Sequence, residues 1–332
     1  MSAGDDELFG YVLVHFVEDP DGHSEKIFLS RSIGDDPRRW ERLNQGRPIL
    51  ESTSGTTGIR DPYLIRTDHG FALLATDLRI WGDYEHNWEQ WTRHGSRSLL
   101  VWETPDLLTW SESRLVEVAP SNAGMAWAPE AVRDPDTGEF LVFWSSKLYD
   151  HDDREHAGDS YSRILVSRTR DFRTFSPAEV LVDSGRDVID MTAVLAGGRV
   201  HRVLKEAPEI PGSKRVYHEV GFDFFGAGFD TLATRIGDDL FTRLEAPLIF
   251  RDNHRERWYL FLDQYERRPQ GYIGFWTDDL AGGDWNAFSR EEFHMPPNTK
   301  HGAVVPLRRH EWQRLETLNV ELGREWELGI RS

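Results

Sequence analysis

The chain has 332 residues, of which 39% are hydrophobic and 12% aromatic, and 13 are Trp. Its net charge of −18 argues against a nucleic acid or a polyanionic polysaccharide as partner. Because there is no Cys, disulfides and thiolate chemistry are excluded. No run reaches the roughly 18 apolar residues of a membrane helix, and the N-terminus lacks the pattern of a signal peptide. We therefore expect no membrane partner and a cytoplasmic location, or secretion where a signal has been removed.

Five short segments share one pattern: an acidic residue or His, a small residue or Pro nearby, and then an apolar run of strand length. The leading residues are Asp61, Glu130, Asp190, Glu245 and His301. They recur at intervals of roughly 55 to 70 residues, and such self-similarity is typical of a radial array of repeats. The sequence therefore predicts an all-β fold, a five-bladed β-propeller.

The strands of the fifth unit are divided between the two ends of the chain. Only residues 302–307 form a good strand after His301, whereas residues 11–16 and 26–30 read as strands that precede the first unit. We predict that these strands complete one blade, so that the N- and C-terminal parts close the ring without an open edge. Residues 1–332 then form a single domain; two unrelated β-rich domains are the alternative.

The C-terminal tail, about residues 309–332, differs from the repeats. Trp312, Leu315, Leu318 and Leu322 have helical spacing, which predicts a short helix over about residues 309–324. We expect the tail to pack outside the ring.

In a propeller, equivalent segments surround one end of the central channel. Four acids gathered there cannot all ionise freely, so repulsion and burial should raise at least one pKa. One protonated and one ionised carboxyl group are what cleavage of a glycosidic bond requires. Singly, each acid could be only a turn residue or a backbone ligand, and His301 could be structural.

The Asp61-Pro, Trp127-Ala-Pro-Glu130 and Glu245-Ala-Pro motifs, with Asp190 between them, resemble those of glycoside hydrolase family 43 over nearly the whole chain. The resemblance implies that Asp61 is the general base, Asp190 orients the acid and tunes its pKa, and Glu245 is the general acid. The family has Asp where this chain has Glu130, which is therefore expected to bind a sugar hydroxyl. Because Glu-Ala-Pro also occurs at Glu206, that residue is the alternative acid.

The resemblance also implies single-step inversion and a His near the propeller axis, here His301, in some members beside a cation or water. One His with carboxylates is a poor Ca²⁺ site, so we predict no catalytic metal and no cofactor. Besides Glu130 and His301, aromatic and polar side chains near the motifs are candidate sugar ligands: Arg60, Trp88, Trp127 and Gln264.

The resemblance favours removal of a terminal pentose or furanose, above all α-L-arabinofuranose, with β-xylosides and β-D-galactofuranosides as alternatives. The aromatic insertion at residues 81–91 favours exo action if it lies on the face that bears Asp61. A sugar-binding propeller without catalysis and a phosphorylase are the competing classes, although the latter needs a basic cluster for phosphate. The sequence does not indicate which oligomeric state the protein has.

Overall fold

The computed structural model describes residues 7–18, 25–207, 211–226 and 228–319. Within them, twenty strands form five four-stranded antiparallel sheets. In chain order from the centre outward, blade one contains β4 (Ile59–Thr67), β5 (Gly70–Asp77), β6 (Ser98–Thr104) and β7 (Arg114–Glu117). Blade two contains β8 (Trp127–Arg133), β9 (Phe140–Lys147), β10 (Ser162–Thr169) and β11 (Glu179–Val182).

Blade three contains β12 (Val188–Ala196), β13 (Arg199–Glu206), β14 (Val216–Gly221) and β15 (Asp230–Ala233). Blade four contains β16 (Leu244–Arg251), β17 (Trp258–Gln264), β18 (Gly271–Thr277) and β19 (Asn286–Ala287). Blade five contains β20 (Thr299–Arg308), β1 (Leu8–Val17), β2 (Phe28–Ile33) and β3 (Asp36–Arg42). Each innermost strand contacts the innermost strands of both neighbouring blades, so the predicted five-bladed propeller is confirmed.

Blade five joins the two ends of the chain. Strand β20 pairs antiparallel with β1, from Leu8 opposite Arg308 to Val17 opposite Thr299. Hydrogen bonds between the first and last strands hold the ring shut and leave no open edge at the seam. The predicted closure is thereby confirmed.

Apolar side chains fill the spaces between blades. Five separate clusters of buried residues lie at the five blade interfaces, and the largest buried side chains include Trp144, Phe143 and Phe261. Burial of each such side chain contributes about 1.5–3 kcal/mol. The strands are rich in aromatic and β-branched residues because both of their faces contact a neighbouring blade.

A bulge interrupts the start of the innermost strand in blades one to four. One residue in each, termed here the bulge residue, has a positive φ: Asp61 (48°), Ala128 (51°), Asp190 (52°) and Ala246 (52°). In three blades a Pro follows, where the disrupted ladder needs no N–H donor. In blade five the register shifts at His301, which takes the corresponding place.

Backbone amides at these positions link successive blades. Ala128 N donates to Thr76 Oγ1 (2.8 Å), Asp190 N to Ser145 Oγ (3.1 Å), and Ala246 N to Asp190 Oδ2 (3.1 Å). His301 N donates in the same way to Asp263 Oδ2 (3.3 Å). Each of these four amides, freed from its own sheet by the bulge, is satisfied by the preceding blade.

Two helices depart from the repeat. The predicted C-terminal helix is present as α2 (Arg309–Arg314), and it packs on β1, where Trp312 contacts Phe9 edge to face. Its predicted continuation beyond residue 319 lies outside the described residues. Helix α1 (Trp88–His94), capped by Asn87, was not predicted. Neither helix is long and apolar enough to cross a membrane, and no other in the described ranges is.

The amide link between blades two and three is testable with Ser145→Ala. The change leaves the Asp190 amide buried without its acceptor, and we expect a loss of about 1–3 kcal/mol in the free energy of unfolding. Urea denaturation of wild type and variant measures it. Ser121→Ala, in an exposed position between blades one and two, is the control. Equal stability of the two variants would contradict the proposed importance of the link.

Candidate active site

The structure brings the five predicted leading residues to one end of the channel but not to equivalent positions. Asp61, Asp190 and His301 occupy the bulge positions, whereas Glu130 and Glu245 do not. The expectation that all five are in phase was therefore wrong.

The pairing of the first and second strands shows how far Glu245 and Glu130 lie from the bulge residues of their blades. Glu245 pairs with Asp263 as Arg60 pairs with Thr76, so Glu245 precedes the bulge residue of its blade. Glu130 lies two residues beyond the bulge residue of blade two. Ala occupies the bulge position in both blades, so their acids reach the channel from flanking positions.

Asp61 is a partly buried carboxylate that interacts with three neighbours. Thr76 Oγ1 donates to its Oδ2 (2.9 Å), and His301 Nδ1 lies 3.4 Å from its Oδ1. Burial alone would raise the pKa of Asp61, but His301, Arg60 and Thr76 outweigh burial and lower it. The same environment raises the pKa of His301 to about 9, against its burial, through Asp61 and then Asp190 and Glu130. At neutral pH this site therefore pairs a carboxylate with an imidazolium.

For Asp190, in contrast to Asp61, burial and nearby negative charges outweigh the nearby cations. Burial, then the negative charges of Glu245 and Asp61, raise its pKa, while His301 and Lys205 oppose the change. Glu245 is half-buried, with 29% of its side chain exposed, and its Oε2 accepts from Lys205 Nζ at 3.2 Å. The three predicted catalytic carboxyl groups therefore have distinct environments, as acid–base catalysis requires.

Lys300 and Asp263 form a further ion pair near that of Lys205 and Glu245. Lys300 Nζ is 3.0 Å from Asp263 Oδ2, and both side chains are fully buried. Burial raises the pKa of Asp263, and Lys300 opposes that rise. Sequence reasoning missed Asp263 and Lys205, although both lie near the ends of second strands at positions equivalent to Thr76.

Three cations at the channel mouth thus have carboxylate partners: Lys205 with Glu245, Lys300 with Asp263 and His301 with Asp61. These pairs leave little cationic surface for phosphate, which weighs against a phosphorylase. Among the described residues no group of three or more His, Cys, Asp or Glu could hold a metal ion. Protonated His301 also has no lone pair to offer a cation.

Glu130 and Trp127 present polar atoms that the described part of the chain leaves unpaired. Glu130 is 3% exposed, and neither its Oε2 nor Trp127 Nε1 has a hydrogen-bond partner among the described residues. Burial raises the pKa of Glu130 well above its usual range, although His301 and Thr192 oppose that rise. Unsatisfied buried groups at a channel mouth fit the predicted role of binding sugar hydroxyls.

Arg60 and Gln264, two other predicted sugar ligands, have partners within the protein. Arg60 Nη1 donates to Glu18 (2.8 Å) and Glu25 (3.2 Å). The Gln264 amide donates to the carbonyls of Arg267 and Pro269 and accepts from Arg267 N. These contacts hold loops in place and do not support direct sugar binding by either residue.

Glu206, the alternative acid, lies at the end of β13 opposite Val188, two residues before the bulge residue Asp190. Its Oε2 accepts from Lys214 N at 2.7 Å, across the loop that follows β13. That contact favours a loop-holding function and leaves Glu245 as the better candidate acid.

The aromatic insertion lies on the same face as Asp61, because it connects the end of β5 to the start of β6. This is the condition on which the prediction of exo action rested. Trp88 of helix α1 meets Trp127 with ring centroids 6.0 Å apart. The insertion thus extends from blade one toward blade two over the channel mouth.

The His301–Asp61 pair predicts a pH-dependent stability. Because the folded pKa of His301 is about 9, above its ordinary 6.5, its stabilisation is complete below pH 6.5 and lost as pH rises through 9. Its full contribution is about 3 kcal/mol. Urea unfolding of wild type and His301→Gln at pH 6, 7.5 and 9 should show a stability difference that shrinks with rising pH.

His69→Gln, at an exposed turn between β4 and β5, serves as the control, and its difference from wild type should not follow this pattern. A difference between wild type and His301→Gln that is constant over the three pH values would contradict the ion pair.

Comparisons with known proteins bear on the family and the fold of the chain. A family model described as a probable glycosyl hydrolase domain, related to glycoside hydrolase family 43, matches residues 6–313. A curated α-L-arabinofuranosidase of Bifidobacterium longum is 31% identical over 210 residues, which are 59% of this chain and 19% of the relative. The chain therefore spans about a fifth of that relative's length.

Solved structures share the fold at low sequence identity. An α-L-arabinanase of Penicillium chrysogenum has a TM-score of 0.52 and 15% identity, covering 88% of this chain and 80% of that one. The catalytic domain of a Coprinopsis cinerea α-L-arabinofuranosidase has a TM-score of 0.51 and 11% identity, covering 88% and 78%. A thermostable family 43 glycoside hydrolase has a TM-score of 0.50 and 17% identity, covering 73% and 75%. With the family model matched over nearly the whole chain, this protein belongs to the glycoside hydrolase family 43-related domains.

Proposed function

We propose that the protein is an inverting exo-glycosidase that releases a terminal pentose or furanose, α-L-arabinofuranose first, from an oligo- or polysaccharide. The observation that carries the proposal is the split between two carboxyl environments at one channel mouth. Asp61 has a lowered pKa beside His301 and Thr76, whereas Asp190, next to Glu245, has a raised one. A lowered pKa suits the carboxylate that acts as base, and a raised pKa next to Glu245 suits the part of the site that supplies the proton.

In the proposed step, Asp61 takes a proton from a water that attacks the anomeric carbon. Glu245 gives a proton to the departing oxygen as the glycosidic bond breaks, so that one water is consumed and two hydroxyl groups are formed. Asp190 holds the Ala246 amide, directly after Glu245, and thereby orients the acid. Glu130 and Trp127 supply unpaired polar atoms for sugar hydroxyls.

The acid is tested with Glu245→Gln against Glu206→Gln on the methyl glycosides of α-L-arabinofuranose, β-D-xylose and β-D-galactofuranose, whose leaving oxygens require protonation. Because a general acid contributes about 10²–10⁴-fold, Glu245→Gln should lower kcat by at least about 100-fold on the glycoside that the wild type cleaves. Glu206→Gln keeps an oxygen for the Lys214 amide and should remain within about threefold of wild type. Activity that survives in Glu245→Gln but not in Glu206→Gln would reverse the assignment, and an inert wild type would favour a binding-only propeller.

The stereochemistry is tested by proton NMR of the reaction as it proceeds. An inverting enzyme acting on an α-arabinofuranoside first releases β-arabinose, which then mutarotates. Appearance of the α-anomer first would show retention and would remove Asp61 from the proposed role of base.

A further inference from the structure

A deep cleft of about 980 Å³ lies beside the channel mouth. One wall is aromatic and is formed by the insertion of blade one, with Trp81, Tyr84 and Trp91. The facing wall is polar and comes from blades four and five, with Arg268, Gln270 and Asn298. A cleft of this volume is at the upper end of the range for small-molecule sites, with room for more than one sugar ring.

The cleft adjoins the carboxylates without containing them. Glu18 lines it and accepts from Arg60, the residue directly before Asp61. Asn298, on the other wall, precedes Lys300 and His301 in the same segment. The cleft therefore opens at the seam between blades five and one, next to Asp61, whereas Asp61, Asp190 and Glu245 are not among its lining residues.

Hydrogen bonds fix the aromatic wall in place. The buried Glu25 carboxylate accepts from Ile80 N (2.9 Å) and Trp81 N (3.2 Å). Trp91 Nε1 donates to Asp83 Oδ2 at 3.0 Å. Yet Trp81 is 38% and Tyr84 87% exposed. Large aromatic side chains held open to solvent beside a cleft are typical of a ligand surface.

We propose that this cleft binds the leaving part of the substrate, a neutral carbohydrate chain of at least two sugar units. The inference rests on the proposed glycosidase function, because the sugar that is released must lie at Asp61 and Glu245, outside the cleft. Aromatic rings match the apolar faces of sugars, and the amide and guanidinium groups opposite match their hydroxyls. The carboxylates of Glu18 and Glu25 disfavour an acidic chain.

The test compares two substrates with the same terminal sugar: its methyl glycoside and an oligosaccharide of three or more units. Tyr84→Ala and Trp81→Ala should each lower kcat/KM on the oligosaccharide by about tenfold, the effect of losing one aromatic contact. On the methyl glycoside the change should stay below about twofold, because nothing reaches the cleft.

Phe222→Ala is the matched control, since Phe222 is 76% exposed and follows β14 at the opposite end of the ring. It should leave both substrates unaffected. Equal losses on both substrates, or no loss on either, would overturn the cleft assignment while leaving the glycosidase intact.

A failure of the proposed glycosidase function can be distinguished from a failure of the cleft assignment. If wild type cleaves neither substrate, calorimetric titration with arabino- and xylo-oligosaccharides still tests the cleft. Binding that Tyr84→Ala weakens by about tenfold while Phe222→Ala does not would support it. No binding of any oligosaccharide would overturn it.

Discussion

The geometry of the site depends on one backbone amide in each of blades two to five. A bulge at the start of the innermost strand releases this amide from its own sheet, and the preceding blade supplies the acceptor. An unpaired amide buried there would be costly, so the link fixes adjacent blades at a defined distance. Thr76 connects this link to the candidate base, since its hydroxyl accepts from Ala128 N and donates to Asp61.

Blade three breaks this repeat, and the asymmetry of the site follows from the break. Where blades one, two and four have Thr76, Ser145 and Asp263, blade three has Lys205, which cannot accept a hydrogen bond. The Asp190 carboxylate takes over as acceptor for the next blade, and Lys205 is left to pair with Glu245. One change of residue type thus ties Asp190 to the segment that carries the candidate acid.

The sequence predicted the number of blades and the closure because both follow from repeated strand patterns. It placed Glu130 and Glu245 incorrectly at positions equivalent to Asp61, because the acidic residues were aligned with one another and not by the bulges. The prolines after Asp61, Ala128 and Ala246 mark the bulges and would have given the correct alignment, since Pro suits a position without a ladder bond. The contacts of Asp263 and Lys205 could not be predicted from the sequence, because they arise only when the second strand of one blade packs against the innermost strand of the next. Helix α1 is a local exception whose signal was Asn87 before Trp88 and Glu89.

The pairing of Lys205 with Glu245 bears on how the acid can act. A general acid must carry a proton, whereas an ammonium 3.2 Å away binds the carboxylate form. Lys205 Nζ also donates to the Tyr265 hydroxyl at 3.0 Å. In the proposed mechanism Glu245 must give up this contact to protonate a leaving oxygen, and Lys205 then keeps its second partner, so that no buried ammonium is left without a hydrogen bond. Tyr265 therefore makes separation of the Lys205–Glu245 ion pair less costly, which makes the pair compatible with the proposed function of Glu245 as the acid.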